Sequence, residues 1–303
     1  MLGQVLFFRG QPALAHTHHT QALALYNPQA HRVLTLRDGV DLGVGSHDYL
    51  ARELWQLGYP DQALQNSQAA LTLAQEVSHP YSLAFALTFS ALLHQYRREV
   101  LAVHEQAAAA MTLATEQGYA QWLARSTALH GWALAIQGQG EVGLAEIRQG
   151  LAADLATGGT LYQPYSLGLL AEAHGAGGHP TEGLPLLAEA LAVMDTTGAR
   201  FYAAELLRLK GTLLLQLAIP DTPQAEACFH RALEVARRQG AKSWELRAAT
   251  RLARLWQQQG KRQEAYKLLA PLYAWFTEGF DTADLIDAKR LLDELSADMT
   301  FPA

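Results

Sequence analysis

The sequence predicts an all-α solenoid, a superhelix of antiparallel helix pairs with a period of about 40 residues. A small residue recurs at one helical position, at Ala51, Ala91, Gly131, Ala171, Gly211 and Ala253, with intervals of 40, 40, 40, 40 and 42. A second series, Leu71, Met111, Leu151, Leu191, Leu233 and Leu272, keeps the same pace. Seven residues beyond its last five members stand Gly118, Gly158, Gly198, Gly240 and Gly279, as expected where a helix ends in a left-handed residue.

In order along the chain, Gly3 precedes Gly10 by seven residues, as Ala51 precedes Gly58, so the chain enters inside a helix. With a helix from Gln11 to Tyr26, residues 1–27 form a clipped first unit. A solenoid that begins mid-helix leaves an apolar face uncovered, which points to a missing neighbour, either another repeat or a domain of a longer protein. Pro28, Asp38-Gly39, Gly43 and Gly45 break the period, so 28–45 is expected to be an irregular connector. From Ser46 the register holds, and residues 46–279 read as six helix pairs: 47–57 with 61–77, 81–97 with 99–117, 119–137 with 141–157, 162–176 with 181–197, 201–217 with 222–239, and 243–259 with 262–277. Short turns such as Gly58-Tyr-Pro60 and Gly138-Gln-Gly140 force antiparallel neighbours. Within 280–303, Asp281 to Leu295 is amphipathic, with Leu285, Ala288, Leu291, Leu292 and Leu295 on one face and Asp284, Asp287, Lys289, Arg290 and Glu294 on the other. It reads as a capping helix, followed by a tail that frays from Ser296.

Two helices of about 16 residues, each roughly 24 Å long, cannot bury their apolar stripes alone, and stacking solves that. Close backbone approach explains the small residues. Gly131, Ala171, Gly211 and Ala253 are expected to meet Gly150, Ala190 and Ala232 on partner helices.

Composition narrows the function classes. Half of the 303 residues are apolar and the net charge is -6, which supplies no electrostatic footprint for nucleic acid. The single cysteine, Cys228, rules out an intrachain disulfide and suits a reducing compartment. No basic n-region opens the chain, and no stretch of about 20 apolar residues offers a membrane span. The expectation is a cytoplasmic protein without membrane or nucleic-acid partners.

The small-residue crossing and the hairpin pattern resemble tetratricopeptide (TPR) repeats, although the period is 40 rather than about 34 and the usual proline after the second helix is absent. Longer helices of this kind resemble solenoids attached to bacterial signalling ATPases, including maltose-regulator-type transcription activators. More specifically, the segments Glu205 to Leu215, Arg238-Gln-Gly-Ala-Lys-Ser-Trp-Glu-Leu-Arg-Ala248, Gln259-Gly-Lys-Arg262 and Trp275-Phe-Thr-Glu-Gly-Phe-Asp-Thr282 resemble the C-terminal repeat region of bacterial class III adenylate/guanylate cyclases. In those proteins a cyclase domain and an AAA/STAND-type ATPase precede the repeats. Leu54 to Leu64 and His94 to Val100 are similar to earlier repeats of that region. Neither a Gly-x-x-x-x-Gly-Lys-Ser/Thr phosphate loop nor a pair of metal-binding aspartates in a strand setting occurs here, so the resemblance implies a regulatory or docking role and not a reaction.

In similar repeats the first helices line a concave surface. The residues six before, three before and one after the small residue are then expected to point inward, making a groove rich in arginine and aromatics. Arg125, Trp132, Tyr165, Arg208, Arg247 and Arg254 are the expected partner contacts, since Arg and Trp concentrate binding energy at interfaces. Ordinary surface pairing, Arg208 with Glu205 and Arg247 with a neighbouring carboxylate, is the competing reading. The aromatic ladder Trp122, Tyr162, Tyr202 and Trp244 suits packing between repeats better than a ligand face. His16 and His19 share a helix face that two metal ligands could use, but no nearby Cys or carboxylate completes a set, and a solvated face is favoured. No catalytic residue, cofactor or metal site is assigned.

Two function classes follow. The first is a non-catalytic protein-interaction or sensor solenoid, with a protein or peptide partner such as an ATPase or cyclase domain, and with room for a small-molecule effector. The alternative is a free-standing peptide-binding TPR adaptor or co-chaperone. An α-solenoid enzyme has no nucleophile and base to recommend it.

Overall fold

A computed structural model describes residues 1–297, and all side chains among them except those at positions 32, 34 and 36–38. The described chain is all-α, sixteen helices in which consecutive helices pack as pairs, a TPR-like α-solenoid. Unit 1 is α1 (Leu2–Phe8) and α2 (Pro12–Ala24). After α3 (Pro28–Asp38) come unit 2, α4 (Leu42–Leu57) with α5 (Pro60–Glu76), and unit 3, α6 (Pro80–Arg97) with α7 (Val100–Gln117). Unit 4 is α8 (Ala120–Ile136) with α9 (Gly140–Ala156), and unit 5 is α10 (Gln163–Ala176) with α11 (Pro180–Thr197). Unit 6, α12 (Ala203–Gln216) with α13 (Thr222–Gln239), and unit 7, α14 (Lys242–Gln258) with α15 (Arg262–Tyr273), precede the cap α16 (Ala283–Ser296).

Local chemistry sets the ends. Gly118, Gly158, Gly198 and Gly240 follow the second helices of units 3 to 6 with positive φ, and Ser78, one period earlier, takes φ 52 in the same role; Gly279 also has positive φ but lies six residues beyond the end of α15. The connector departs from expectation: it contains α3, because Asn27 Oδ1 accepts from the backbone N–H groups of Gln29 and Ala30 while Pro28 supplies the first helical φ. Asp41 then caps α4, accepting from Gly43 and Val44, so this helix starts at Leu42 and absorbs both glycines once assigned to the connector. The α15 helix stops at Tyr273, two residues after Pro271, rather than reaching Thr277. Residues 298–303, the greater part of the tail expected to fray, lie outside those described.

The crossings are tight, with partners that differ from the simple alignment of series. A Cβ on Gly131 would lie 2.7 Å from the Gly143 carbonyl oxygen, and one on Gly150 would lie 2.5 Å from the Ala124 carbonyl oxygen, so α8 and α9 meet backbone to backbone at two points. Gly211 faces a ring instead: a Cβ there would sit 2.6 Å from the fully buried Phe229. Gly211→Leu is therefore expected to displace Phe229 and destabilise the chain by about 1–3 kcal/mol, read as a lower urea midpoint. An unchanged midpoint would mean that the α12–α13 crossing has slack.

The superhelix closes on itself after about five units. Phe7 of unit 1 stacks on Phe201 of unit 6 at 5.2 Å, and the Arg200 N–H donates to the Phe8 carbonyl at 2.6 Å. Trp55 of unit 2 meets Trp244 of unit 7 edge to face at 4.5 Å, and the Ser243 hydroxyl donates to the Trp55 carbonyl at 2.5 Å. Glu278, just past α15, accepts from the N–H groups of Asp61 and Gln62 at 2.9 and 3.1 Å, capping α5 from a distance of 217 residues in sequence. A carboxylate at that N-terminus also meets the positive end of the helix dipole.

Candidate functional site

First helices face the superhelix axis, and their inward side chains fill it. Tyr96 packs against Trp55 (4.8 Å), Trp244 (5.1 Å) and Tyr202 (6.1 Å), so rings from four units meet on the axis. The ladder Trp122, Tyr162, Tyr202 and Trp244 is buried throughout and packs between repeats. Aromatic pairs in offset or edge-to-face geometry add cohesion beyond their buried area.

Of the six residues expected to line a groove, four are buried, Arg125 is half-buried, and all five are engaged within the fold. Arg125 binds Asp154 through Nε at 3.1 Å and lies over the Tyr162 ring at 4.6 Å. Trp132 donates its indole N–H to Glu172 at 2.8 Å, and the Tyr165 hydroxyl donates to Gln95 at 3.0 Å. Arg208 makes a two-pronged pair with Glu205 at 2.8 and 2.9 Å. Arg247 reaches Glu205 at 3.1 Å and Asp284 at 2.8 Å. Only Arg254, 27% exposed and bonded to Asp287 at 2.9 Å, remains within a partner's reach. The inward direction is as expected, but the groove is closed: at five units per turn the facing side chains meet across the axis.

A second group on the axis was not anticipated. Arg52 is fully buried, donates to Asp48 and to the Tyr162 hydroxyl, and lies over the rings of Phe89 (4.1 Å) and Tyr49 (4.2 Å). Beside it Glu53 is hydrogen bonded to His19 at 2.8 Å, and His19 stacks on Tyr49 at 4.9 Å. His19 is thus neither part of a solvated face nor paired with His16 around a metal; it is a buried partner of Glu53. Burial, with Asp48 adding to it and Arg52 opposing, pushes the Glu53 carboxyl up to about 9, and burial next to the Arg52 cation pushes His19 down to about 3. Arg52 and Asp48 were legible in principle, since they occupy the positions one after and three before the small residue Ala51.

At one end of the filled axis a cavity of about 190 Å³ opens between α12, α14 and α16. Arg208, Arg247, Glu172, Glu205, Asp284 and Asp287 line it, with Arg98 and Arg251 among the further walls. Arg98 caps α6 in the left-handed conformation, φ 64, and pairs with Asp284 at 3.3 Å. Burial opposes the charge on Glu205, but Arg208 and Arg247 outweigh it and hold the carboxyl down at about 2. Asp284 and Asp287, expected on a solvent face of the cap helix, instead turn toward arginines of α14. Cys228 is half-buried and burial pushes its thiol up, consistent with a packing role. Among the described residues no group of three or more His, Cys, Asp or Glu is placed to hold a metal ion, and no helix is long and apolar enough to cross a membrane.

No family model matches the sequence, and no curated protein matches it. Among solved structures the chain is similar to the TPR2AB domain–pHSP90 complex of yeast Sti1, at 13% identity and a TM-score of 0.35, covering 84% of this chain and 98% of that one. It is also similar to a circular tandem repeat protein with novel repeat topology and enhanced subunit contact surfaces, at 15% identity and a TM-score of 0.25, covering 88% and 74%. Likenesses this distant add nothing to the functional argument, which rests on the helices and side chains above.

Proposed function

We propose that the chain is a non-catalytic interaction and sensor solenoid, the regulatory or docking region of a cyclase–ATPase type signalling system. One observation carries the reading. The axis is filled by the chain's own rings and ion pairs, which leaves the outer helix faces and the arginine-lined cavity as the surfaces a partner or effector can reach. A peptide adaptor needs an open inner groove, so the closure disfavours that alternative. The charged groups on the axis are paired with one another in ways that build structure: Arg52 with Asp48, Arg208 with Glu205, Arg247 with Asp284. The segments resembling cyclase-associated repeats point to an ATPase or cyclase domain as the partner.

The test is co-purification of the chain with the ATPase domain encoded in frame upstream or in the neighbouring gene. A stable complex is expected. Absence of such a domain from both places, or its presence without binding, would overturn the docking role. Arg254 is the informative substitution, because Arg208 is locked in a buried pair whose removal disturbs the fold. Arg254→Ala leaves Asp287 with Arg290 at 2.7 Å, so the fold is expected to persist while affinity for the ATPase domain falls about tenfold. Unchanged affinity would remove Arg254 from the contact.

A further inference from the structure

Four arginines, Arg98, Arg208, Arg247 and Arg251, and four carboxylates, Glu172, Glu205, Asp284 and Asp287, line the cavity, and the ion pairs among them leave one arginine out. Asp284 serves both Arg98 and Arg247, and Glu205 serves both Arg208 and Arg247. Asp287 is taken up by Arg254 and Arg290, which approach from outside the lining. Glu172 accepts from the Trp132 indole and makes an ion pair with none of these arginines. That leaves Arg251, which lines the cavity one helical turn from both Arg247 and Arg254 and is paired with none of the described carboxylates. Arg251 is half-buried, so its guanidinium carries a desolvation cost that no counter-ion offsets, and a fork of N–H donors facing an empty space is complementary to an oxyanion.

From this juxtaposition we infer that the cavity is a binding site for a compact oxyanion, a phosphate or a small carboxylate, held chiefly by Arg251 with Arg98 and Arg208 beside it. The chemistry follows from size and charge. At about 190 Å³ the space is below the 300–1,000 Å³ usual for larger organic ligands, so a tetrahedral phosphate or a short carboxylate fits better than a nucleotide or a peptide. Arginine favours such ligands because its planar donors engage two oxygens at once. Burial, with Arg208 and Arg98 adding to it and Asp287 opposing, pushes Arg251 down to about 10, and it is still charged at neutral pH. An oxyanion there would touch α6, α12 and α14 at once, joining unit 3 to units 6 and 7 beside the closure of the superhelix. Occupancy would thereby stabilise the closed form.

The inference gives the sensor reading a ligand class and rests on that reading only for its consequence. Binding is measured on the full chain alone, so its failure is distinct from a failure to dock an ATPase domain. Inorganic phosphate and citrate are titrated separately by calorimetry, against chloride at matched ionic strength. Saturable one-to-one binding is expected for at least one of them, and the probe that saturates at the lower concentration identifies the source. Arg251→Gln is expected to weaken that binding at least tenfold. Arg98→Gly should weaken it several-fold while keeping the fold, because glycine adopts φ 64 without strain. Arg251→Lys should recover part of the loss, which a merely structural role would not predict, and Arg238→Gln on the exposed face of α13 should bind as the parent does. No saturable binding of either probe, or Arg251→Gln binding as tightly as the parent, would overturn the proposal.

Discussion

Replacing Arg247 with Ala is expected to cost the chain on the order of 3–5 kcal/mol and to open the superhelix at its closure. The residue is 8% exposed and its guanidinium lies over the Trp55 and Trp244 rings at 5.1 and 5.0 Å. Its nitrogens bind Asp284, Glu205 and the Tyr96 carbonyl, so one residue ties unit 7 to units 2, 3 and 6 and to the cap helix. Burial disfavours the cation, yet Asp284 and Glu205 more than compensate and raise its pKa above the ordinary arginine value. Truncation strands Glu205 with Arg208 alone and removes the inner partner of Asp284, the situation in which breaking a buried pair costs most. Solenoid stability is otherwise close to a sum over neighbouring units, so this contact between distant units has a distinctive signature. Urea unfolding should shift to a lower midpoint, and hydrogen exchange should quicken in α4 and α14 more than in α8 and α9. Arg247→Lys, which keeps charge but loses the planar fork, should fall between. Equal exchange in α4 and α14 in Arg247→Ala and the parent would refute the closure as a stabilising contact.

The second large effect is a loss of stability in mild alkali caused by Glu53 and His19. In the unfolded chain Glu53 titrates near its usual 4.5 and His19 near 6.5; folded, they stand at about 9 and about 3. Between pH 4.5 and 6.5 each state holds one proton on the pair, on Glu53 when folded and on His19 when unfolded, so the pair contributes no slope. Above 6.5 the unfolded pair holds none while folded Glu53 keeps its proton up to about 9. Stability therefore falls as pH rises across that window, by about 3 kcal/mol at 1.36 kcal/mol per unit. Below 4.5 the unfolded pair takes a second proton that buried His19 refuses until about pH 3, so stability falls there as well. Asp48, pushed up to about 6 by burial against the opposing pull of Arg52, loses its excess proton below this alkaline window. Glu53→Gln has no proton to give up, so its urea midpoint should be flat between pH 6.5 and 9 where the parent declines. Parallel declines would show that Glu53 is ionised in the folded protein.

Most helices were legible because they obey local rules. Turn chemistry and apolar period placed the helices of units 3 to 6 close to their observed ends, since in those units a glycine seven residues past the leucine series ends the second helix. The connector departs from the sequence pattern because Gly43 and Gly45 look like turn formers; α4 accommodates them where Asp41 caps its first turn and donates its own backbone N–H to the Ser82 hydroxyl 41 residues away. The Gly131 crossing was anticipated but its partner was not, because the offset between two packed helices depends on how their side chains interlock, which a shared period does not specify.

The sequence by itself determined the repeat, its small-residue crossings, the helix ends and which side chains point inward, because each follows from spacing along one helix or one hairpin. Only the tertiary structure decided whether those inward side chains line a groove or a core. That depends on the small rotation between successive units, accumulated over five of them until unit 2 meets unit 7. The same accumulated rotation turned the expected partner contacts Arg125, Trp132, Tyr165, Arg208 and Arg247 into contacts within the fold and set Arg251 at the rim of a cavity without an ion pair. Such a rotation is fixed by packing between units, and no single period of the sequence contains it.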